Sequence, residues 1–146
     1  NTTYTVGGFN YLKYGYDVLE FGVQTGTEVA GLPLVLLASY AQNLAADVEY
    51  DQAWALGAAL GRAVERGSWE ASALYQSLDK DALFGQIVDS DFGDGRTDSQ
   101  GWVFKGGYAP AKNVTLNASY FMNTYNKDVG TELEFNRLQL DVNYKF

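Results

Sequence analysis

RLQLDVNYKF, residues 137–146, alternates without error: Leu138, Leu140, Val142, Tyr144 and Phe146 share one parity, Arg137, Gln139, Asp141, Asn143 and Lys145 the other. A period of two belongs to a strand with two unlike faces. Strand of this length, rising about 3.3 Å per residue and tilted, matches the span of a membrane strand. Upstream, Val114, Leu116, Ala118, Tyr120 and Met122 alternate with Asn113, Thr115, Asn117, Ser119 and Asn123, and only Phe121 breaks the pattern. The residues from Thr124 to Glu134 are read as the link between these two strands.

The same reading extends backwards. Trp102, Phe104 and Tyr108 share a parity within a strand from about Ser99 to Ala109, and Trp69, Ala71, Ala73 and Tyr75 alternate with Ser68, Glu70, Ser72 and Gln76. From Asp47 to Gly61, Val48, Tyr50, Trp54, Leu56, Ala58 and Leu60 oppose a face of small residues at Ala53, Ala55, Gly57 and Ala59. Leu32 to Gln42 is apolar on both parities. Asp17 to Thr27 sets Leu19, Phe21 and Val23 against Glu20, Gly22 and Gln24, and Thr3 to Tyr14 is aromatic-rich with no clear phase. These segments predict eight antiparallel strands in one all-β domain over 1–146. One has a rival reading, because Asp51 to Arg66 is also rich enough in Ala and Leu for a helix.

The connections favour strands. Short turns at Pro110–Asn113, Glu65–Gly67 and Val29–Gly31 interleave with longer links at Lys127–Glu134, Asp79–Asp98 and Asn43–Ala46. Short turns on one side and longer loops on the other are usual in bacterial outer-membrane barrels, and an even strand number puts both termini on one side. The expectation is therefore a transmembrane up-and-down β-barrel. A soluble eight-stranded barrel of the lipocalin type, binding a small ligand, is the alternative. It needs charged residues on the outside of most strands, whereas here one face of nearly every strand is aromatic or aliphatic. Trp69 and Tyr75, Trp102 and Tyr108, and Tyr144 and Phe146 sit near segment ends, where interfacial girdles would put them.

Composition agrees with this and excludes other classes. The 146 residues include 11 Tyr, 8 Phe, 3 Trp and 16 Gly against 2 Pro, a mixture suited to strands and turns. No run of about 18 apolar residues offers a transmembrane helix, which says nothing against strands that hide their apolar residues at alternate positions. Lys and Arg number 10 against 18 Asp and Glu, a net charge of −8, which opposes a phosphate-binding surface for nucleic acid. With no His and no Cys, the commonest catalytic bases and nucleophiles, disulfides and thiolate metal sites are all missing, and neither catalysis nor a cofactor is expected. No basic leader followed by an apolar stretch opens the chain, so it reads as mature or as truncated at its N-terminus.

Two sets of polar residues are candidates for function. Glu20, Glu49, Asp51, Glu70, Lys105, Arg137, Asp141 and Lys145 fall on the inward parity, where they line a constriction or, in a narrow barrel, pair into a salt-bridged plug. Asp89, Asp91, Asp94 and Asp98 in DSDFGDGRTD resemble a calcium loop but lack the acidic residue at its twelfth position. An acidic, Gly-rich outer loop explains them without a metal.

The stretches GLPLVLLASYAQN, AWALGAALGRA, GSWEASALYQ, DALFGQIVDSDFGDGRTDSQGWVFKGGYAPAKNVTLNASYFMN and NRLQLDVNYKF resemble the closing half of the bacterial putative porin family, large outer-membrane barrels. The resemblance spans about Asp17 to Phe146, is most specific in the DALFG…DSDFG…TD segment and in NVTLN, and supports a strand at Asp51 to Arg66. It implies a Gram-negative outer membrane, outer-membrane lipids as surroundings, and passive transport of small solutes. The family's first half is not in this sequence, so the chain resembles either part of a porin or a small closed structural barrel without a pore. Leu138, Leu140, Val142, Tyr144 and Phe146 also resemble the signal read by the barrel-assembly machinery.

Overall fold

A computed structural model describes residues 1–128 and 130–146. The chain is all-β and its strands pair antiparallel. β1 (Thr3–Val6) and β2 (Phe9–Leu12) form a hairpin of their own. β3 (Val18–Val29), β4 (Leu32–Asn43), β5 (Gln52–Gly61), β6 (Trp69–Leu78), β7 (Ser99–Ala111), β8 (Val114–Tyr125) and β9 (Leu133–Tyr144) follow one another in a single seven-stranded sheet.

The strand count differs from the expected eight, and the sheet is not closed. The segment read as a first strand, Thr3 to Tyr14, folds back on itself instead. Gly7 and Gly8 have φ of +60° and +83°, the paired left-handed values of a two-residue hairpin turn, and Val6 lies opposite Phe9. An odd number of strands in a meander has a further effect. β3 and β9, the two edges, run in the same direction, so the sheet begins at one of its ends and finishes at the other.

The helix reading of Asp51 to Arg66 is set aside, since β5 pairs along its length with β4 and β6. Gly57 shows why that face is made of small residues: a Cβ there would lie 2.9 Å from Leu74 Cδ1 and 3.3 Å from Leu37 Cγ. β5 starts later than expected, at Gln52, because the chain turns at Asp47, whose φ is +64°. The turn between β3 and β4 is Ala30–Gly31, and that between β7 and β8 is Lys112–Asn113. Residues 62–68 join β5 to β6, where Ser68 Oγ receives the Val64 N–H at 2.8 Å and donates to the Glu65 carbonyl at 2.6 Å. The longer links lie at the opposite end. Of the expected link Lys127–Glu134, Val129 is outside the described residues, and β9 already begins at Leu133.

The register sorts the side chains into two unlike faces. One row runs Val23, Ala38, Leu56, Tyr75, Trp102, Met122 and Asn136 across all seven strands; another runs Thr27, Leu34, Leu60, Ala71, Gly106, Ala118 and Leu140. Among the described residues of this face, the one charged side chain is Glu134, near the loop end of β9. Its apolar groups are exposed: Phe21 is 70%, Leu140 73% and Val142 71% accessible. The reverse face carries Glu20, Gln24, Ala41, Ala53, Gly57, Gln76, Lys105, Asn117 and Arg137, mixing small and polar residues.

Candidate functional site

The link between β6 and β7, residues 79–98, does not stand out into solvent but lies down on the small-and-polar face. Ala82 and Phe92 are buried there, Leu83 and Val88 pack beside them, and the wall they meet is Ala41 of β4, Ala53 of β5, Leu78 of β6, Val103 of β7 and Phe121 of β8. Phe121, which interrupts the alternation of its strand, is explained by this contact: it points to the polar face and is covered by the loop. Burying a Phe side chain contributes roughly 1.5–3 kcal/mol, enough to hold an otherwise acidic segment against the sheet.

Polar contacts fasten the loop at its base. Asp81 is buried, and its carboxylate accepts the Thr2 N–H at 2.7 Å, the Thr2 hydroxyl at 2.5 Å and the Tyr16 hydroxyl at 3.1 Å. Burial, together with the neighbouring Asp81 charge, holds the Tyr16 phenol well above its usual range. Asn43, at the end of β4, joins three segments: its Nδ2 donates to the Gly15 carbonyl at 3.1 Å and the Asp81 carbonyl at 2.9 Å, and its Oδ1 accepts the Asp17 N–H at 3.1 Å.

A second anchor ties the loop to the β8–β9 link. The Lys127 ammonium sits 2.5 Å from Asp79 Oδ1 and 2.7 Å from Asp128 Oδ1, the Lys80 N–H donates to Asp128 Oδ2 at 2.9 Å, and the Asp128 N–H donates to Asp98 Oδ1 at 2.7 Å. Burial tends to lower the Lys127 pKa, but its bonds to Asp128 and Asp79 outweigh that and raise it. Burial raises the pKa of Asp98, opposed in part by the N–H it accepts from Asp128. Further along the loop, Arg137 Nη1 of β9 lies 2.8 Å from Asp91 Oδ1, and the Gly93 N–H donates to Asn123 Oδ1 of β8 at 3.2 Å.

These positions bring together some of the expected residues and separate others. Glu20, Glu70, Lys105, Arg137 and Asp141 do share the covered face. Glu49 and Asp51 do not: both lie in the β4–β5 link, where Asp51 Oδ2 accepts the Gln42 Nε2–H at 2.8 Å. Lys145 follows the end of β9. The expected pairing across a narrow interior takes another form. Among the described residues, Arg137 pairs with Asp91 of the loop, whereas Glu70 reaches back along its own face, its carboxylate accepting the Ala63 N–H at 3.2 Å. Leu138, Leu140, Val142 and Tyr144 lie on the apolar face, and Phe146 is exposed.

The four carboxylates of DSDFGDGRTD do not converge. Asp89 accepts the Asp91 N–H at 2.9 Å, Asp91 meets Arg137, Asp94 lies 3.6 Å from Arg96, and Asp98 is turned towards Asp128. Among the described residues no group of three or more acidic side chains is placed to hold a metal ion.

The residues that organise the site and that the sequence reading passed over are Asn43, Asp81, Phe92, Asn123 and Lys127. One signal was available: Ala82, Leu83, Phe84, Val88 and Phe92 are apolar within an acidic link, more than a solvated loop requires. The arrangement is chemically a partition. One face is almost wholly apolar, with Glu134 its one charge among the described residues, and the other is small and polar with the loop fastened across it. The profile of the family described as "Putative porin" matches residues 12–146, nearly the whole chain. Searches of curated proteins and of solved structures found no match.

Proposed function

This chain belongs to the putative porin family, and we propose that its sheet is one wall of an outer-membrane β-barrel through which small solutes diffuse passively. The observation that carries this reading is the contrast of the two faces. Soluble monomers rarely expose a contiguous apolar patch beyond a few hundred Å². Here, aromatic and aliphatic residues of seven adjacent strands stay exposed together on a face whose one charge, among the described residues, is Glu134. Lipid is the solvent that face fits, and the opposite face, with its charges and its loop, borders an aqueous lumen.

Closure defines what else the barrel needs. An open sheet edge in hydrocarbon leaves backbone N–H and C=O groups without partners, each at a cost of several kcal/mol. β3 cannot seal against β9 in antiparallel fashion because the two run the same way. Additional copies in the same membrane orientation meet the same obstacle at either edge. An all-antiparallel barrel therefore takes an odd number of further strands, and the seven-stranded sheet serves as one part of a wider wall. Solute passage requires about nine or more such strands, which bring the barrel to the roughly 16–18 at which open channels appear. The exposed apolar face disfavours a soluble lipocalin-like binder. Outer-membrane lipids and the barrel-assembly machinery are the partners this reading proposes; it assigns no enzymatic step, cofactor or nucleic acid.

The test is reconstitution. The product of the whole open reading frame, placed in a planar bilayer, is expected to give stepwise ohmic conductance. A monodisperse folded protein that needs neither detergent nor lipid would sink the membrane reading.

A further inference from the structure

The fastened loop does not fill the face it covers. Ala53 of β5 is covered by the loop, but beside it, along Ala55 and under Val88 of the loop, a cleft of about 180 Å³ remains. Taken at the volume of liquid water, that is room for about six molecules. Its walls are mostly apolar, with Gln76 as a polar neighbour, and two carboxylates line it from different elements, Glu20 from β3 and Asp89 from the loop. Among the described residues, neither carboxylate is in an ion pair.

We propose that this cleft binds a small organic cation, its ammonium or guanidinium head held between Glu20 and Asp89 and its apolar stem lying between Ala55 and Val88. The chemistry selects that class. A cation gains attraction from two charges that have no counter-ion of their own, and an apolar stem removes the remaining exposed surface of Ala55 and Val88 from water. An anion of the same shape meets two like charges, and a neutral analogue keeps the burial but loses the attraction. The site deepens the porin reading, because a cleft on the lumen face holds such a solute within the proposed path, although binding itself requires no current.

The experiment uses the full chain refolded in detergent micelles, with n-butylammonium as probe and n-butanol and butyrate as the neutral and anionic counterparts. Methyl signals of Ala53, Ala55 and Val88 report occupancy by nuclear magnetic resonance. Butylammonium is expected to shift them to saturation, butanol to bind more weakly, and butyrate to leave them in place. Glu20→Gln and Asp89→Asn should each weaken butylammonium binding by roughly fivefold, the worth of one partly exposed charge pair. Ala55→Leu should abolish it by filling the floor. If that variant does not fold, the double carboxylate variant decides: unchanged affinity there, or butyrate binding as well as butylammonium, overturns the assignment. Binding in micelles without conductance from the whole protein would count against the porin reading alone, and conductance without binding against the cleft alone.

Discussion

Arg137 of the last strand is joined to Asp91 of the β6–β7 loop at 2.8 Å, so the edge of the sheet holds the segment that lies across its face. Both side chains keep partial access to water, at 43% and 33%, and such a pair contributes at most about 1 kcal/mol. Arg137→Ala should consequently leave global unfolding almost unchanged. What it should raise is amide exchange and protease cleavage around residues 89–92. Loss of the whole fold in this variant would show that the pair does more than hold the loop.

The Lys127 anchor is expected to matter more. Its side chain is 11% exposed and has carboxylates of both Asp79 and Asp128 against it. Lys127→Met leaves those acids and the buried Asp98 together without a cation. A cost of about 2–3 kcal/mol in loop stability is expected, since removing one partner of a sheltered pair strands the other charge. Denaturant-dependent hydrogen exchange at residues 80–98 measures it, and a cost no greater than that of Arg137→Ala would contradict the ranking.

Asp98 gives the loop a pH dependence of known sign. Its folded-state pKa lies above the ordinary 3.8, chiefly through burial. The folded chain therefore holds that proton more tightly than the unfolded chain, and this contribution to stability falls as pH rises from the ordinary value through the raised one. Asp98→Asn keeps an oxygen to accept the Asp128 N–H but cannot ionise. The difference in loop stability between the variant and the parent chain should grow over that interval and level off above it. A difference that shrinks instead would mean that the carboxylate is held below its ordinary range.

The two faces of β9 predict opposite tolerances. Leu140 belongs to the uncharged row that includes Ala118 and Gly106, whereas Gln139 pairs with Ser119 on the reverse face. Arginine near the bilayer midplane on a lipid-facing strand costs about 2–4 kcal/mol. Leu140→Arg should impair folding into bilayers by about that much, and Gln139→Arg should be nearly neutral. Equal effects would falsify the assignment of faces.

The chain by itself should form no steady channel of nanosiemens scale, because its edges cannot meet in antiparallel register and its seven strands are too few for a wide pore. Single-channel recording on the purified 146-residue chain decides this, and stable openings would require a closure that the sheet does not show.

Much of this architecture was legible in the residues. The alternation of β8 and β9 marks their faces directly, because period two is a local property. The stripe of Ala53, Ala55, Gly57 and Ala59 likewise reads as a strand face once its neighbours are known to be strands. The hairpin was within reach through Gly7–Gly8, but an aromatic-rich segment without phase hid it. The site was harder to see. Phe92 and Asp81 are placed by contacts with residues far along the chain, and the apolar residues within the acidic loop hint that it lies on a wall without saying which residues it meets. The parity of Arg137 places it on the face of small and polar residues, yet its partner was not legible, because that partner comes from the loop and not from a facing strand.

The reach of that loop sets an order of events. Its buried residues contact Ala41 and Ala53 before it in sequence and Val103 and Phe121 after it, and its ties to Lys127 and Arg137 come later still. It cannot dock until strands on both sides have paired, so docking closes the folding sequence rather than starting it. Run backwards, the same order makes loop release the first step of unfolding. A nascent or stressed chain would then pass through a state in which all seven strands are paired and the face that the loop normally covers lies bare.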